Sequence, residues 1–425
     1  MDEYALIRRT LTANRDAYIE PLRALVAIDT HCVGHGILGG LEKEGQANMA
    51  GLLKGLGAEV TVCPMDEADI RRAIERHNEG NPGHNYEGRE NVYGRFPGGG
   101  GRSLIFNGHM DTMPAGDESL WKHPPLGAVV EGGRLYGLGA ADMKGGLTAA
   151  VMAVKLLKDA GISLPGDVLI ASVADEEGGG NGSIAAAMQG LKADGVVVCE
   201  PTDGGLIAAH MGFVFFRVKV EGLANHSGGK WLGVSAIEKA IHLIRAIDEL
   251  EHRWLLRYKH PLLPAPNLNV GTIHGGTAGS TVPGACVFEV CVHYLPGQMT
   301  YDQVVTEFTE AIRWASNGDS WLNEHRPDVV VYQAGGAFEM ETDHPFTSTF
   351  RRAHEAALGR PVQIVGSPAG CDSRVWRNIA GCPTLQYGPG RLKECHAVDE
   401  YLALDSYFDA ILIYAALILE WGRQQ

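Results

Sequence analysis

Acidic and histidine residues follow three apolar runs of the sequence, at the point where each run ends. They are His109 and Asp111 after residues 103–106, Glu176 and Glu177 after 168–173, and Glu200 after 196–198. Short runs rich in Val, Ile and Leu are typical of strands buried in a parallel sheet. Because the carboxyl ends of parallel strands meet at one edge of the sheet, we expect these side chains to lie close together.

Two further residues complete a set of groups that could bind a metal ion. Asp142 lies in a Gly-rich segment just before a predicted helix at 147–158, and His396 lies near the end of the chain. Imidazoles and carboxylates together suit zinc, cobalt or manganese. Each residue alone has an ordinary alternative: a helix cap for Asp142, a solvated surface for the Glu pair, a core histidine for His109. Burying all of them without a cation would be costly, so the set predicts a metal site.

The elements around these residues predict an α/β fold in two domains. The first sixty residues have the apolar spacing of helices, and strands and helices then alternate up to about residue 210, which indicates an open sheet with helices on its faces. From residue 211 the order is strand, helix, strand, strand, helix, strand, predicted at 213–220, 234–250, 267–274, 286–294, 301–315 and 328–333. This βαββαβ order is that of a ferredoxin-like domain. We therefore expect a catalytic domain at 1–210 and 337–425, with an inserted domain at 211–336.

Composition and charge narrow the class of protein. The chain has 425 residues, of which 45% are hydrophobic and 56 are Gly, and its formal net charge is −15. An excess of acidic residues disfavours binding to nucleic acid or to an anionic membrane. The first residues lack the apolar segment of a secretory signal, so a cytoplasmic location is expected. The charged segment at 67–90 is expected to lie on the surface, with His77 and His84 solvated.

Five motifs, in order along nearly the whole chain, resemble a known enzyme family. They are GHMDT at 108–112, GLGAADMKGG at 137–146, DEEG at 175–178, CEPT at 199–202 and CHAVDEY at 395–401. These motifs resemble those of the two-metal amidohydrolases, which include acetylornithine deacetylase, succinyl-diaminopimelate desuccinylase, aminoacylase and the glutamate carboxypeptidases. The resemblance implies a three-layer α/β/α zinc-peptidase-like catalytic domain with an inserted ferredoxin-like lid, through which the chain forms a homodimer.

The resemblance also implies roles for the residues singled out above. Asp142 would bridge two Zn²⁺ ions, with Co²⁺ or Mn²⁺ as alternatives. One ion would be completed by His109 and Glu200, and the other by Glu177 and His396. Asp111 would hydrogen-bond His109 and set its tautomer. Glu176 would be the general base that takes a proton from water and returns it to the leaving amine.

Substrate-binding residues are implied by the same resemblance, with departures from the family pattern. His226, in a Gly-x-x-x-His-Ser motif, would reach the partner subunit's site and stabilise the oxyanion. Ser280 stands where relatives carry Asn, and His293 stands where they carry an Arg that grips a substrate carboxylate. Arg374 remains as the other expected carboxylate anchor. We therefore expect weakened dependence on a substrate carboxylate.

These observations favour a zinc-dependent hydrolase of a small amide. The first expectation is deacetylation or deacylation of an N-acyl amino acid or a related N-acyl amine by a water shared between two metals. The alternatives are a dipeptidase or carboxypeptidase, a deformylase of a heterocyclic amine, and a non-catalytic binding protein. The expected partners are a small N-acyl or peptide-like substrate and a second copy of the chain, with no nucleic acid and no membrane.

Overall fold

The computed structural model describes residues 3–424, which divide into two compact units. The first unit contains residues 3–208, 340–365 and 371–424, and the second contains 209–339 and 366–370. The helices are α1 (Glu3–Ala13), α2 (Asp16–Val26), α3 (Glu42–Gly55), α4 (Glu67–His77), α5 (Gly145–Asp159), α6 (Asn181–Met188), α7 (Ala236–Arg257), α8 (Tyr301–Asn317), α9 (Ser320–Glu324), α10 (Pro345–Leu358), α11 (Ser373–Asn378) and α12 (Leu404–Gly422).

The strands, numbered along the chain, are β1 (Cys32–Gly36), β2 (Gly39–Gly40), β3 (Glu59–Cys63), β4 (Asn91–Phe96), β5 (Gly101–His109), β6 (Val129–Glu131), β7 (Arg134–Tyr136), β8 (Gly166–Val173), β9 (Gly195–Val198), β10 (Leu206–His210), β11 (Gly212–Glu221), β12 (Asn225–His226), β13 (Asn267–Gly275), β14 (Thr281–Val282), β15 (Ala285–Tyr294), β16 (Asp328–Gly335), β17 (Phe338–Glu339), β18 (Ile364–Ser367), β19 (Thr384–Gln386) and β20 (Tyr401–Ala403).

The first unit is built around a mixed sheet with the strand order β10-β19-β9-β5-β8-β4-β3. Its centre is parallel: β5 pairs in parallel with both β8 and β9, and β9 pairs in parallel with β19. The neighbours β4 and β3 continue the sheet in antiparallel pairing. Because β5, β8 and β9 run the same way, their carboxyl ends lie at one edge of the sheet, as the sequence predicted.

Helices cover both faces of this sheet. Successive residues of β5 point to opposite faces. Ile105 packs in the core formed with α4, α6 and α11, whereas the ring of Phe106 lies 4.8 Å from that of Tyr414 in α12. The predicted three-layer α/β/α arrangement is therefore confirmed. Although α12 is buried and apolar, no helix among residues 3–424 has both the length and the apolar character to cross a membrane.

Two local features of the first unit differ from the sequence prediction. The first sixty residues were expected to be helical, but a hairpin of β1 and β2 separates α2 from α3. The segment at 67–90 was expected to lie on the surface. Its helix α4 is amphipathic, and Glu79, Asn81 and Arg89 beyond it are buried.

The second unit has the predicted βαββαβ order. Its sheet runs β13-β15-β11-β16, and every neighbouring pair is antiparallel. Alternate residues of β11, such as Val214 and Phe216, are buried against α7 and α8, and the rings of Phe216 and Phe308 stack 3.8 Å apart. Helix α7 runs past the predicted end at residue 250, because Trp254 continues its buried stripe one turn further.

Candidate active site

The carboxyl edge of the parallel strands brings the predicted metal ligands of the first unit together. His109 is the last residue of β5, and Glu176 and Glu177 follow the end of β8. Glu200 follows β9 in the same way. These positions come from three neighbouring strands, so the sheet itself sets the spacing of the side chains.

Asp142 lies at the centre of this group. Its Oδ1 atom is 3.1 Å from Nε2 of His109, and its Oδ2 atom is 3.4 Å from Nε2 of His396. Nε2 of His109 is also 3.6 Å from Oε1 of Glu200, and Nε2 of His396 is 3.1 Å from Oε2 of Glu177. The two oxygens of one carboxylate therefore face two different histidines, each with a second carboxylate beside it.

Asp111 supports this group in a different way from the one predicted. Its side chain was expected to hydrogen-bond His109, but the carboxylate Oδ1 is 3.7 Å from Nδ1 of that ring. The backbone carbonyl of Asp111, 2.8 Å from Nδ1, accepts the hydrogen bond instead and leaves Nε2 facing Asp142. The Asp111 carboxylate accepts from the backbone N–H groups of Glu176 and Glu177, at 3.2 and 3.0 Å. It therefore fixes the backbone that carries both acids.

Burial and mutual repulsion shape the electrostatics of the group. Burial raises the pKa of Glu176 and of Glu200 well above the usual value for a glutamate. Burial lowers the pKa of His109, but its hydrogen bond with Asp142 and the nearby carboxylates outweigh burial and raise it overall. Hydrogen bonds with Asp142 and Glu177 raise the pKa of His396 to about 11. Carboxylates outnumber imidazoles in this group, so the group favours the binding of cations.

The donor atoms fit a divalent transition metal. Two sets of ligand atoms each lie within 4.8 Å of one another: one from His109, Glu176 and Glu200, and one from His109, Asp142 and Glu177. Imidazole nitrogen and carboxylate oxygen are the donors that zinc, cobalt and manganese accept. Glu176 reaches the same space as the ligands, because its Oε2 is 4.0 Å from Nε2 of His109.

Beneath the site lies a buried cluster of ionisable side chains that the sequence interpretation missed. The Arg89 guanidinium is fully buried, with Nε 2.8 Å from Oε1 of Glu42 and Nη2 2.9 Å from Oδ1 of Asp175. Oδ2 of Asp175 is 2.7 Å from Nδ1 of His84, whose side chain is only 4% exposed. The expectation that His84 is solvated is therefore wrong, whereas His77 is exposed as expected. A charge-rich segment gives the same sequence signal whether its charges pair inside or face water.

Arg374, predicted to anchor a substrate carboxylate, is engaged by the protein itself. Its side chain is 2% exposed, and Nε donates to Oε2 of Glu79 at 3.0 Å. Its other nitrogens donate to the backbone carbonyls of Cys371 and Gly179, at 2.7 and 2.9 Å. The guanidinium thus ties the loop after Glu177 to α11, and this geometry gives no support to the predicted anchor.

The second unit brings together two of the three substrate-binding residues predicted there. His226 in β12 is exposed and pairs with Thr281 of β14, and the N–H of Ser227 donates to the carbonyl of Ser280. His293 lies apart from them, near the other end of β15, with Nδ1 3.2 Å from Oδ1 of Asn267. Burial lowers the pKa of His293, so its ring is less readily charged than an ordinary histidine.

Comparison with known proteins identifies the family. Residues 105–420 match Peptidase family M20/M25/M40, and the chain belongs to this family. It is therefore a hydrolytic enzyme that acts on an amide bond, as the sequence predicted, and the family is metal-dependent.

Two curated relatives are similar over most of their length. The N-formyl-4-amino-5-aminomethyl-2-methylpyrimidine deformylase of Bacillus subtilis is 32% identical over 79% of this chain and 84% of its own. The acetylornithine deacetylase of Vibrio parahaemolyticus is 30% identical over 75% of this chain and 81% of its own. Among solved structures, an M20 family metallo-carboxypeptidase from Sulfolobus solfataricus matches with a TM-score of 0.74 over 95% of this chain and 99% of its own. Its sequence identity is 16%, so this likeness concerns the fold alone.

The buried cluster beneath the site generates a stability prediction. Arg89→Met should lower the free energy of unfolding by about 3–5 kcal/mol, because Glu42 would remain buried without its arginine partner and Asp175 would keep only His84. Arg95→Met removes an arginine that also pairs with two acids, but its side chain is 47% exposed, and it should change stability little. Urea denaturation of the full chain measures both variants. Equal effects of the two substitutions would contradict the structural role given to Arg89.

Proposed function

We propose that this enzyme holds two divalent cations, with Zn²⁺ first and Co²⁺ or Mn²⁺ as alternatives. Asp142 would bridge them, His109 and Glu200 would complete one site, and Glu177 and His396 the other. The observation that carries this proposal is the position of Asp142, whose two oxygens face His109 and His396 separately. The two pairs are His109 with Glu200 and His396 with Glu177, and a single cation could bind only one of them.

Cations bound at this donor set would polarise a water molecule and the scissile carbonyl, and would stabilise the charge that develops during hydrolysis. Glu176 is proposed as the general base that takes the proton from water and delivers it to the leaving nitrogen. Its backbone N–H donates to Asp111, which fixes the start of its side chain relative to His109. With a cation bound, His109 would be neutral: its Nδ1–H group would donate to the carbonyl of Asp111, and the lone pair of Nε2 would bind the cation.

Substitution of the two adjacent acids separates the base from the ligand. Glu176→Gln should retain both metals but lose at least about 10²-fold in kcat, because an amide of the same size cannot take the proton from water while every proposed ligand remains in place. Glu177→Gln should lose metal from one site as well, because an amide is a weak ligand. Metal content per chain and single-turnover rates measure the two effects. If Glu176→Gln is fully active, or if it is the variant that loses metal, the two roles are wrongly assigned.

The partners of the buried Lys and Arg side chains bear on whether the substrate's leaving group carries a carboxylate. Among the described residues the buried Lys and Arg side chains are Arg89, Lys144 and Arg374. Lys144 donates to the carbonyls of Leu25 and Ile28, at 3.2 and 2.9 Å, and both arginines pair with acids. A substrate carboxylate would therefore find none of these cations free to bind it.

We therefore favour an N-acyl amine over an N-acyl amino acid as the substrate class. His293, in place of the expected Arg, has a pKa lowered by burial and is a weak partner for a carboxylate. The deformylase relative acts, by its name, on the N-formyl derivative of an aminomethylpyrimidine. A formyl or other short acyl group on the aminomethyl nitrogen of a neutral heteroaromatic ring is the proposed substrate. A carboxypeptidase activity would require a carboxylate anchor and is disfavoured by the same argument.

A matched pair of substrates tests this choice. N-Acetylornithine and its decarboxylated counterpart N-acetyl-1,4-diaminobutane should differ by less than about 10-fold in kcat/KM, because Arg89, Lys144 and Arg374 keep their protein partners whether or not the substrate carries a carboxylate. N-Formyl-aminomethylpyrimidine should exceed both. The metal-replete enzyme would be assayed by release of free amine. A preference of about 10³-fold or more for the carboxylate-bearing substrate would restore an amino-acid substrate.

His226 and a homodimer form the last part of the proposal. His226 and Ser280 lie beyond the amino-terminal end of β15, whereas His293 lies eight residues after its first residue, Ala285. Eight residues of extended strand span about 26 Å, too far for one small substrate to contact both ends. If all three residues serve one site, they must come from two chains, so we propose that His226 stabilises the oxyanion in the partner's site.

Subunit mixing tests this part of the proposal. Glu176→Ala and His226→Ala should each reduce activity by about 10²-fold or more, and His226→Ala should keep its metal. Mixed under conditions that allow exchange, random pairing makes half of the dimers hybrids, each with one complete site. Activity should recover to about a quarter of wild type. Inactive hybrids, verified by mass, would place His226 in its own chain's site or in none.

A further inference from the structure

Glu400 has no role in the chemistry described above, although it is only 1% exposed and lies four residues after His396. Its side chain accepts three backbone N–H groups: Gly139 at 2.9 Å, Ala141 at 2.8 Å and Asp142 at 3.0 Å. Its own carbonyl accepts the N–H of Gly137 at 3.0 Å. One residue therefore receives four hydrogen bonds from a segment about 260 positions earlier in the chain.

The segment that Glu400 holds is the one that carries Asp142. It lies between β7 and the start of α5 at Gly145. The backbone hydrogen bonds of a strand or of a regular α-helix therefore do not fix it. The N–H groups of Ala141 and Asp142 donate to the same oxygen, Oε1 of Glu400. These two bonds fix the peptide unit from which the Asp142 side chain extends towards His109 and His396.

The same residue also anchors the segment that carries His396. Glu400 directly precedes β20, which pairs with β7, and β7 leads into the Gly137–Asp142 segment. The neighbouring Asp399 accepts the N–H groups of Lys122 and His123, at 2.7 and 3.1 Å, and these residues carry no proposed ligand. Glu400 is thus the point at which two ligand-bearing segments are joined.

We infer that Glu400 is a positioning residue for the metal centre, which holds the Asp142 carboxylate where both proposed cation sites can share it. This inference rests on the proposed function. A carboxylate suits the task because both of its oxygens accept hydrogen bonds, and charged acceptors bind N–H groups about twice as strongly as neutral ones. A glutamine would place its NH₂ group against the N–H of Gly139 or against those of Ala141 and Asp142, which would break the network.

Titration of the metal-free full chain with Zn²⁺ alone, followed by calorimetry, tests the inference. Glu400→Gln should weaken binding by about 10–100-fold or reduce the number of ions bound, as loss of a group that orients a ligand does elsewhere. Asp399→Asn is the matched control, because it removes a charge one residue away while keeping an oxygen acceptor for Lys122 and His123. It should bind Zn²⁺ like the wild type.

A second readout separates positioning from a general role in stability. Zn²⁺ should raise the thermal unfolding midpoint of the wild type, and this rise should shrink in Glu400→Gln even if its metal-free midpoint is unchanged. Should Glu400→Gln not fold, Glu400→Asp keeps the charge on a shorter side chain and should give intermediate affinity. Wild-type affinity and stoichiometry in either folded variant would overturn the inference. Absence of Zn²⁺ binding by the wild type would instead overturn the proposed metal centre.

Discussion

Burying several carboxylates together at the edge of a sheet is the physical constraint on which this structure depends. Two sets of side chains, His109 with Glu176 and Glu200 and His109 with Asp142 and Glu177, each bring their ligand atoms within 4.8 Å of one another, and these side chains are mostly shielded from water. Ionised groups lose hydration there, and they repel one another more strongly than in water. Such a group persists only where cations and oriented N–H groups offset the cost. The chemistry of the site and the arrangement around it both follow from that requirement.

The surrounding chain supplies the compensation in two ways. Backbone N–H groups donate to the supporting acids: two to Asp111 and three to Glu400. Beneath the site, Arg89 neutralises Asp175, the residue directly before Glu176, and Arg374 ties the loop after Glu177 to α11. Asp111 and Glu400 thus position the backbone that carries Glu176, Glu177 and Asp142, the acids of the proposed metal centre. These ion pairs and oriented N–H groups account for many of the charged residues that are buried in the first unit.

The second unit meets a simpler constraint. Its four strands bury one face against α7 and α8 and form a core of their own. The residues proposed to contact substrate lie at its margins: His226 and Ser280 at one end of the sheet and His293 near the other. The core therefore fixes their separation through the length of β15. That fixed separation is the physical basis for proposing that two chains contribute to each site.

The sequence by itself determined the parts of this protein that depend on local pattern. Apolar runs such as 168–173 and the order of strands and helices after residue 211 predicted the strands, the βαββαβ order and the edge where His109, Glu176 and Glu200 meet. These signals are local: side chains alternate between the two faces of a strand, and the residue that follows an apolar run marks where the strand ends. The hairpin of β1 and β2 was missed, since its Gly-rich strands have no apolar alternation.

Only the tertiary structure decided which charged residues pair inside the protein. Arg89 with Glu42, His84 with Asp175, and Arg374 with Glu79 join segments 47, 91 and 295 residues apart. Nothing in the sequence around His84 distinguishes a solvated histidine from a buried one, because its partner belongs to another strand end. The same holds for Asp111, whose backbone rather than its side chain meets His109. The local sequence pattern predicts the position of a side chain along its own strand or helix. The residue that pairs with this side chain depends on how distant strands and helices pack together.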